Sequence, residues 1–266
     1  MPTVRCHGAD LYFEDEGTGP PILFLHGVMT GLRFFEPQLS TLSADHRTVA
    51  LDYRGHGRSE KTETGHAVSQ YARDLDAFLD RLDADDVLVV GWSMGALVAW
   101  EYVDRFGTDR LRGLVVVDMS ASAFRWDDYD HGTTDLSRLT DTLELVQTDH
   151  ERLLEQTIAA AFAGPVDRDA HALAFDELSR TPPTVKSAIL VDYTMRDYRD
   201  VLPGVDVPAL VCAGADETWR SVAAVRDVAE RLPDADFELF EESGHCLSLE
   251  EPDRFSRVVG AFASSP

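Results

Sequence analysis

The stretch Gly91-Trp92-Ser93-Met94-Gly95, preceded by Val87-Leu88-Val89-Val90, constrains the fold of this chain more than any other. Four apolar residues in a row, three of them β-branched, predict a strand covered on both faces. The residues from Met94 to Phe106 carry a helical pattern. A chain that turns from strand into helix this sharply has no room for side chains beside the corner, which accounts for the glycines. The corner residue, Ser93, is lifted above the strand end, where a base can reach its hydroxyl. The competing reading is a glycine-softened loop whose serine bonds only its own backbone. The strand before it and the helix after it argue against that.

The same alternation continues along the chain. Strands are expected at Pro21–Leu25, Arg47–Leu51, Leu111–Asp118, Ala209–Gly214 and Phe237–Phe240. Tyr71, Leu75, Phe78, Leu79 and Leu82 follow a helical 3-4 spacing, as do Val222, Val225, Val228, Ala229 and Leu232. Apolar strands alternating with amphipathic helices predict an α/β fold, a mostly parallel central sheet flanked by helices. The regularity stops at Asp118. From residue 121 to 202 come helix-like stretches without strands (Leu136–Gln147, Glu151–Ala163, Ala170–Leu178), broken at Gly164-Pro165 and Thr181-Pro182-Pro183. We therefore expect a core of residues 1–120 and 203–266. Residues 121–202 are expected to form a helical cap inserted after the sixth strand, not an independent domain.

Charge narrows the partners. Asp and Glu number 48 against 24 Lys and Arg, a net charge of −24, and the only lysines are Lys61 and Lys186. Such a surface repels nucleic acid and anionic membranes, so neither is expected as a partner. Lysine scarcity beside abundant carboxylate suits a halophilic setting, where screening removes the self-repulsion; an ordinary acidic enzyme is the alternative. Cys6, Cys212 and Cys246 are odd in number and far apart, which argues against a disulfide framework and for a reducing compartment. Met1 to Arg5 lack an apolar signal region, and no 18-residue apolar run occurs. A cytoplasmic protein is expected. No CxxC or HExxH spacing appears, so neither metal nor other cofactor is implied. Nothing in the sequence constrains the oligomeric state.

Three further segments join the picture: His26-Gly27-Val28 after the first buried strand, Asp52-Tyr53-Arg54-Gly55-His56-Gly57-Arg58-Ser59 after the next, and Glu241-Glu242-Ser243-Gly244-His245 near the C-terminus. With the serine corner they resemble the α/β-hydrolase superfamily, from about Asp10 to Phe262. Within it the chain is most similar to small carboxylesterases and the perhydrolase/enol-lactonase-like group. The segments Asp192 to Arg199 and Glu242 to Cys246 carry that closer likeness. The resemblance implies the α/β-hydrolase fold and the chain order serine, acid, histidine.

The chemistry asks for a base, two oxyanion donors and an acid. A serine hydroxyl is a weak nucleophile and needs a base within hydrogen-bond reach. His245 is the best candidate, in a glycine-containing loop between the last strand and a helix starting near Glu251-Pro252. The oxyanion needs two converging N–H groups: that of Met94, after the nucleophile, and that of Val28, after the glycine that lets the backbone approach. His26 is expected to brace its loop, and Asp52 and Arg54 to tie neighbouring loops together. The acid has two possible sources. The family commonly draws it from a G-x-x-D after the strand Ala209–Gly214, which here reads Gly214-Ala215-Asp216-Glu217, with Glu217 in the aspartate's place, three residues after the glycine, and Asp216 one residue early. Adjacent residues point in different directions, so these two would not act together. The rival is Asp118: Val117-Asp118-Met119-Ser120 resembles the V-D-[IM]-[ST] segment of esterases that take their acid from the earlier strand. Asp118 is favoured, with Asp216 or Glu217 as alternatives.

An acyl pocket is expected from Met29, Phe35, Trp92, Trp126 and Met195, with Leu32, Phe34, Phe124 and Phe162 nearby. The resemblance implies a serine hydrolase that cleaves small-to-medium apolar carboxylic esters through an acyl-enzyme, with a small-molecule ester as its partner. The same site could serve a lactonase, a C–C hydrolase or a perhydrolase, or a slow-turnover ligand receptor.

Overall fold

Residues 2–265 are described by a computed structural model of the chain. Eight strands form one sheet: β1 (Thr3–Cys6), β2 (Ala9–Glu16), β3 (Pro21–Leu25), β4 (Arg47–Leu51), β5 (Val87–Trp92), β6 (Leu111–Val117), β7 (Ala209–Gly214) and β8 (Ala235–Phe240). Their spatial order is β1-β2-β4-β3-β5-β6-β7-β8. The first two strands pair antiparallel with each other, β2 pairs antiparallel with β4, and all other pairings are parallel. Strand β5 lies at the middle of the sheet and is buried throughout.

Side-chain alternation along β5 builds both cores. Val87 and Val89 join the cluster packed against α2 (Val68–Leu82) and α3 (Met94–Phe106). Leu88, Val90 and Trp92 join the cluster on the other face, with α1 (Glu36–Leu42) and the C-terminal helix. Helix α3 is buried from Met94 to Val103, which explains a sequence apolar almost all round.

Between β6 and β7 the chain makes four helices: α4 (Leu136–Thr148), α5 (His150–Ala161), α6 (Arg168–Arg180) and α7 (Pro183–Thr194). Three start on aspartate caps, Asp135, Asp149 and Asp167, whose carboxylates accept amides of the first turn. Helix α7 departs from the sequence expectation, which read Pro182-Pro183 only as a break. Pro183 occupies the first helical turn, where its missing N–H costs nothing. The chain closes with α8 (Val222–Arg231), a single turn α9 (Leu247–Glu250) and α10 (Pro252–Ala263).

The segment from Asp52 to Ser59 is a brace, as expected. Asp52 accepts the amides of Leu32 and Arg58, both at 2.7 Å. Arg54 grips Asp74 of α2 through two 2.6 Å hydrogen bonds, both side chains buried. Removing either partner would strand a buried charge, at a cost of about 3–5 kcal/mol. Cys6, Cys212 and Cys246 are all free and buried. Among the described residues, no helix is long and apolar enough to cross a membrane.

Candidate active site

Both glycines around Ser93 are required by contact. A Cβ on Gly91 would lie 2.7 Å from backbone atoms of Gly95 and Ala96, and one on Gly95 would meet the Leu25 carbonyl at closer than contact distance. Ser93 itself sits at φ 53°, ψ −119°, a conformation that costs a non-glycine residue about 1–3 kcal/mol. It caps α3, so the Met94 amide belongs to the first turn, where helical N–H groups have no intrahelical partner. Gly27 packs against it: a Cβ there would be 3.4 Å from Ser93 Cβ and 3.1 Å from the Trp92 ring. Gly27 and Val28 line the same cavity as Ser93. His26 is wholly buried and spends its ring on its own loop, Nδ1 at 2.8 Å from the Gly27 carbonyl and Nε2 accepting the Tyr53 amide at 3.2 Å.

His245 is held on every side. Its backbone amide donates to the Ala161 carbonyl (2.8 Å), and its carbonyl accepts Trp92 Nε1 (2.7 Å). Trp219 meets the imidazole edge-on, with centroids 5.0 Å apart. Glu250 ties the loop down by accepting the amides of Gly244, Cys246 and Ala163. Cys246 is a buried packing neighbour whose thiol is pushed far up by burial and then by Glu250.

The two candidate sources of acid converge. Asp118 Oδ2 lies 2.7 Å from His245 Nδ1, and Glu217 Oε2 lies 2.5 Å from the same nitrogen. Asp118 follows the end of β6 at φ 52°, a strained placement that aims its carboxylate across the end of β7. Glu217 reaches the same point from the loop after Gly214, its Oε1 accepting the Trp219 amide at 2.6 Å. Glu217 is thus no part of the acidic surface: its side chain is 1% exposed. Asp216 is on the outside, beside Glu241 and Glu242, away from the imidazole.

Two carboxylates this close cannot both ionise freely. Burial, then Glu217, raises Asp118 to about 8. Burial would also raise Glu217, but the charge of His245, the hydrogen bonds from Asp118 and His245, and Arg220 outweigh it and hold that carboxyl below its ordinary range. Burial alone would lower His245; Glu217 and Asp118 together carry it up to about 9. With Nδ1 committed to the carboxylates, Nε2 is the nitrogen left to exchange a proton. The same three residues are the one group of candidate metal ligands among the described residues, with donor atoms within 4.8 Å of one another. Their direct contacts of 2.5 and 2.7 Å are hydrogen-bond distances between a ring nitrogen and carboxylate oxygens.

Ser93 and His245 open onto one cavity of about 380 Å³ beneath α4 to α7. Of the expected lining residues, Met29 and Trp92 are there, and so is Phe162. Phe35, Trp126 and Met195 are not. Phe35 turns inward, packing on Phe24 at 5.0 Å and edge-on to Trp92. Its neighbour Phe34 faces the cavity instead, stacked on Trp92 at 5.0 Å. Trp126 packs on Phe124 and donates to Ser122 Oγ, while Met195 follows the end of α7 at the surface. Sequence reasoning missed Leu139, Leu153, Ile158 and Leu178, apolar positions on helices it had recognised, and also Trp219 and Arg220.

Comparison with known proteins adds the following. A family model described as the alpha/beta hydrolase fold matches residues 20–252. The non-heme chloroperoxidase CPO-A1 of Kitasatospora aureofaciens is 28% identical, covering 93% of this chain and 92% of that protein. An esterase from Exiguobacterium antarcticum superposes with a TM-score of 0.95 at 24% identity, over 99% of each chain. The esterase RhEst1 from Rhodococcus sp. ECU1013 is 27% identical with a TM-score of 0.86, over 99% of this chain and 98% of that one.

Proposed function

The chain belongs to the alpha/beta hydrolase fold family, and from that premise we propose a carboxylesterase-type serine hydrolase acting on small-to-medium acyl esters. One observation carries the reading. A strained serine and an imidazole anchored by buried carboxylates open together onto a largely apolar cavity. In this mechanism Nε2 of neutral His245 takes the Ser93 proton as Oγ bonds to the ester carbonyl carbon. The developing oxyanion accepts the amides of Val28 and Met94. As the C–O bond to the alcohol breaks, the imidazolium returns its proton to the leaving oxygen. Water then repeats the cycle on the acyl-enzyme and releases the acid. The side chains of Leu139, Leu153, Ile158 and Leu178 give an acyl chain an apolar bed. No step calls for a cofactor.

The test is turnover on a panel of p-nitrophenyl esters together with labelling by a fluorophosphonate. Expected are measurable turnover, best with short to medium chains, and a label on the peptide that contains Ser93. Absence of both, with tight retention of a small molecule, would favour the ligand-receptor alternative.

We also propose a cytoplasmic, high-salt setting, supported by three unpaired cysteines and the charge of −24. Of the two lysines, Lys186 is buried and donates to the Leu178 carbonyl. The Debye length shrinks from about 10 Å at 0.1 M salt to about 3 Å at 1 M, relieving carboxylate repulsion. Tm should therefore rise between 0.1 and 1 M KCl; a flat or falling Tm would defeat the salt reading.

A further inference from the structure

We propose that the ester taken by this cavity carries a carboxylate of its own, bound by Arg220, so that the substrates are hemiesters of short dicarboxylic acids. This rests on the esterase reading above and narrows it.

Arg220 lines the cavity beside Trp219 and His245, yet is only 7% exposed. Its Nε and Nη1 are shut off from the cavity and have no hydrogen-bond partner, which leaves Nη2 as the nitrogen a bound group can reach. The carboxylate paired with it, Glu217 Oε2, is 3.8 Å from Nη1, beyond hydrogen-bond range. Glu217 spends Oε1 on the Trp219 amide, while its Oε2 lies between His245 Nδ1 and Arg220 Nη1 without completing a hydrogen bond to the arginine. A guanidinium that gives up its water without gaining acceptors is costly to bury. The guanidinium nitrogen that remains, Nη2, can donate a charge-assisted hydrogen bond to a carboxylate in the cavity.

The rest of the wall agrees. Asp and Glu supply 48 of the 266 residues, so a lining drawn evenly from this chain would include several. It includes none, but it does include a second arginine, Arg138 of α4, at the exposed rim. The cavity lining thus carries positive charge without an acidic residue, although Glu217 lies behind it, 3.8 Å from Arg220. Screening at physiological ionic strength has a range of about 8 Å. An anion inside therefore feels Arg220 in contact more than the surface carboxylates, and it is the buried Glu217 that competes with it for the guanidinium. A single buried guanidinium balances one charge, which favours a carboxylate over a doubly charged phosphate. The competing role for Arg220 is to act as counter-charge to the Asp118–Glu217 pair.

The deciding experiment compares monomethyl glutarate with methyl 5-methylhexanoate, whose branched end copies the carboxylate in shape but not in charge. Hydrolysis is followed by pH-stat with the wild type, Arg220→Gln and Arg220→Lys, each first checked for wild-type melting. The wild type should prefer the hemiester. That preference, as a ratio of kcat/KM values, should fall about 10- to 100-fold in Arg220→Gln, mainly through KM, the range expected for hydrogen bonds to a charged group. Arg220→Lys should recover part of it. An equal slowing on both esters, with the preference intact, would overturn the proposal and leave Arg220 as counter-charge only. If the wild type cleaves neither ester and takes no fluorophosphonate, the hydrolase reading fails separately. Calorimetric titration with glutarate then decides the carboxylate site: binding that weakens at least tenfold in Arg220→Gln upholds it, and no binding to the wild type overturns it.

Discussion

Ser93→Ala should lower kcat on any ester the protein turns over by about 10⁶, the loss measured when the serine of a serine-protease triad is removed. In the proposed mechanism the change deletes the only atom that bonds to the acyl carbon, so no tuning of the remaining groups can replace it. The residual rate should be the part owed to the Val28 and Met94 amides and to binding, about 10³–10⁴ over water. Folding should survive and even improve slightly, because the hydroxyl makes none of the contacts that hold the corner. Gly91 and Gly95 make those. Measurement requires active-site titration of the wild type, so that trace contamination is not read as residual activity. A variant that retains wild-type kcat would remove Ser93 from the chemistry altogether.

The second large effect is expected from the pair of carboxylates on His245. A Ser-His-Asp site loses about 10⁴ in kcat when its aspartate becomes asparagine. Here Asp118→Asn leaves Glu217 against Nδ1, and Glu217→Gln leaves Asp118 there. Each single change should therefore cost about 10-fold, and the double change about 10⁴, well above the roughly 100-fold product expected if the two acted independently. The pH profile supplies an independent readout. The base must be neutral, and the carboxylates hold His245 up at about 9, so kcat/KM of the wild type should climb with pH until that region. Glu217→Gln removes the larger of the two upward influences, leaving burial to push the imidazole down, so the limb should move to lower pH. If Asp118→Asn alone is as crippled as the double variant and Glu217→Gln has a wild-type profile, Glu217 is a bystander.

That pair also shows where sequence reading succeeds and where it stops. The strand, glycine corner and helix around Ser93 were legible because each residue type is demanded locally: β-branched residues for the sheet, glycine for backbone contact, and helical spacing after it. Helix α3 has the expected bounds, Met94–Phe106. The site's acid was legible only as a choice among Asp118, Asp216 and Glu217, since spacing along the chain does not reveal that two strand ends deliver side chains to one nitrogen. The β1–β2 hairpin went unseen because its residues mix charge and apolar groups at a half-exposed edge. Phe34 and Phe35 exchanged roles because they lie on one tight turn, Leu32–Phe35, where neighbouring positions face opposite ways. Arg220 gave no signal, because a buried arginine in sequence looks like any other.

The anchoring of His245 bears on how proteins of this design diversify. Ala161, the last residue of α5, holds the His245 amide through its carbonyl, and the Ala163 amide is bound by the same Glu250 that fastens Gly244 and Cys246. The helices over the cavity are thus a load-sharing member of the frame that positions the base, and not an interchangeable visor. A new specificity can be sought in α6 and α7 with the frame left standing. A graft whose junction falls between 161 and 163 trades recognition and rate together, because it moves the ground on which the imidazole is mounted.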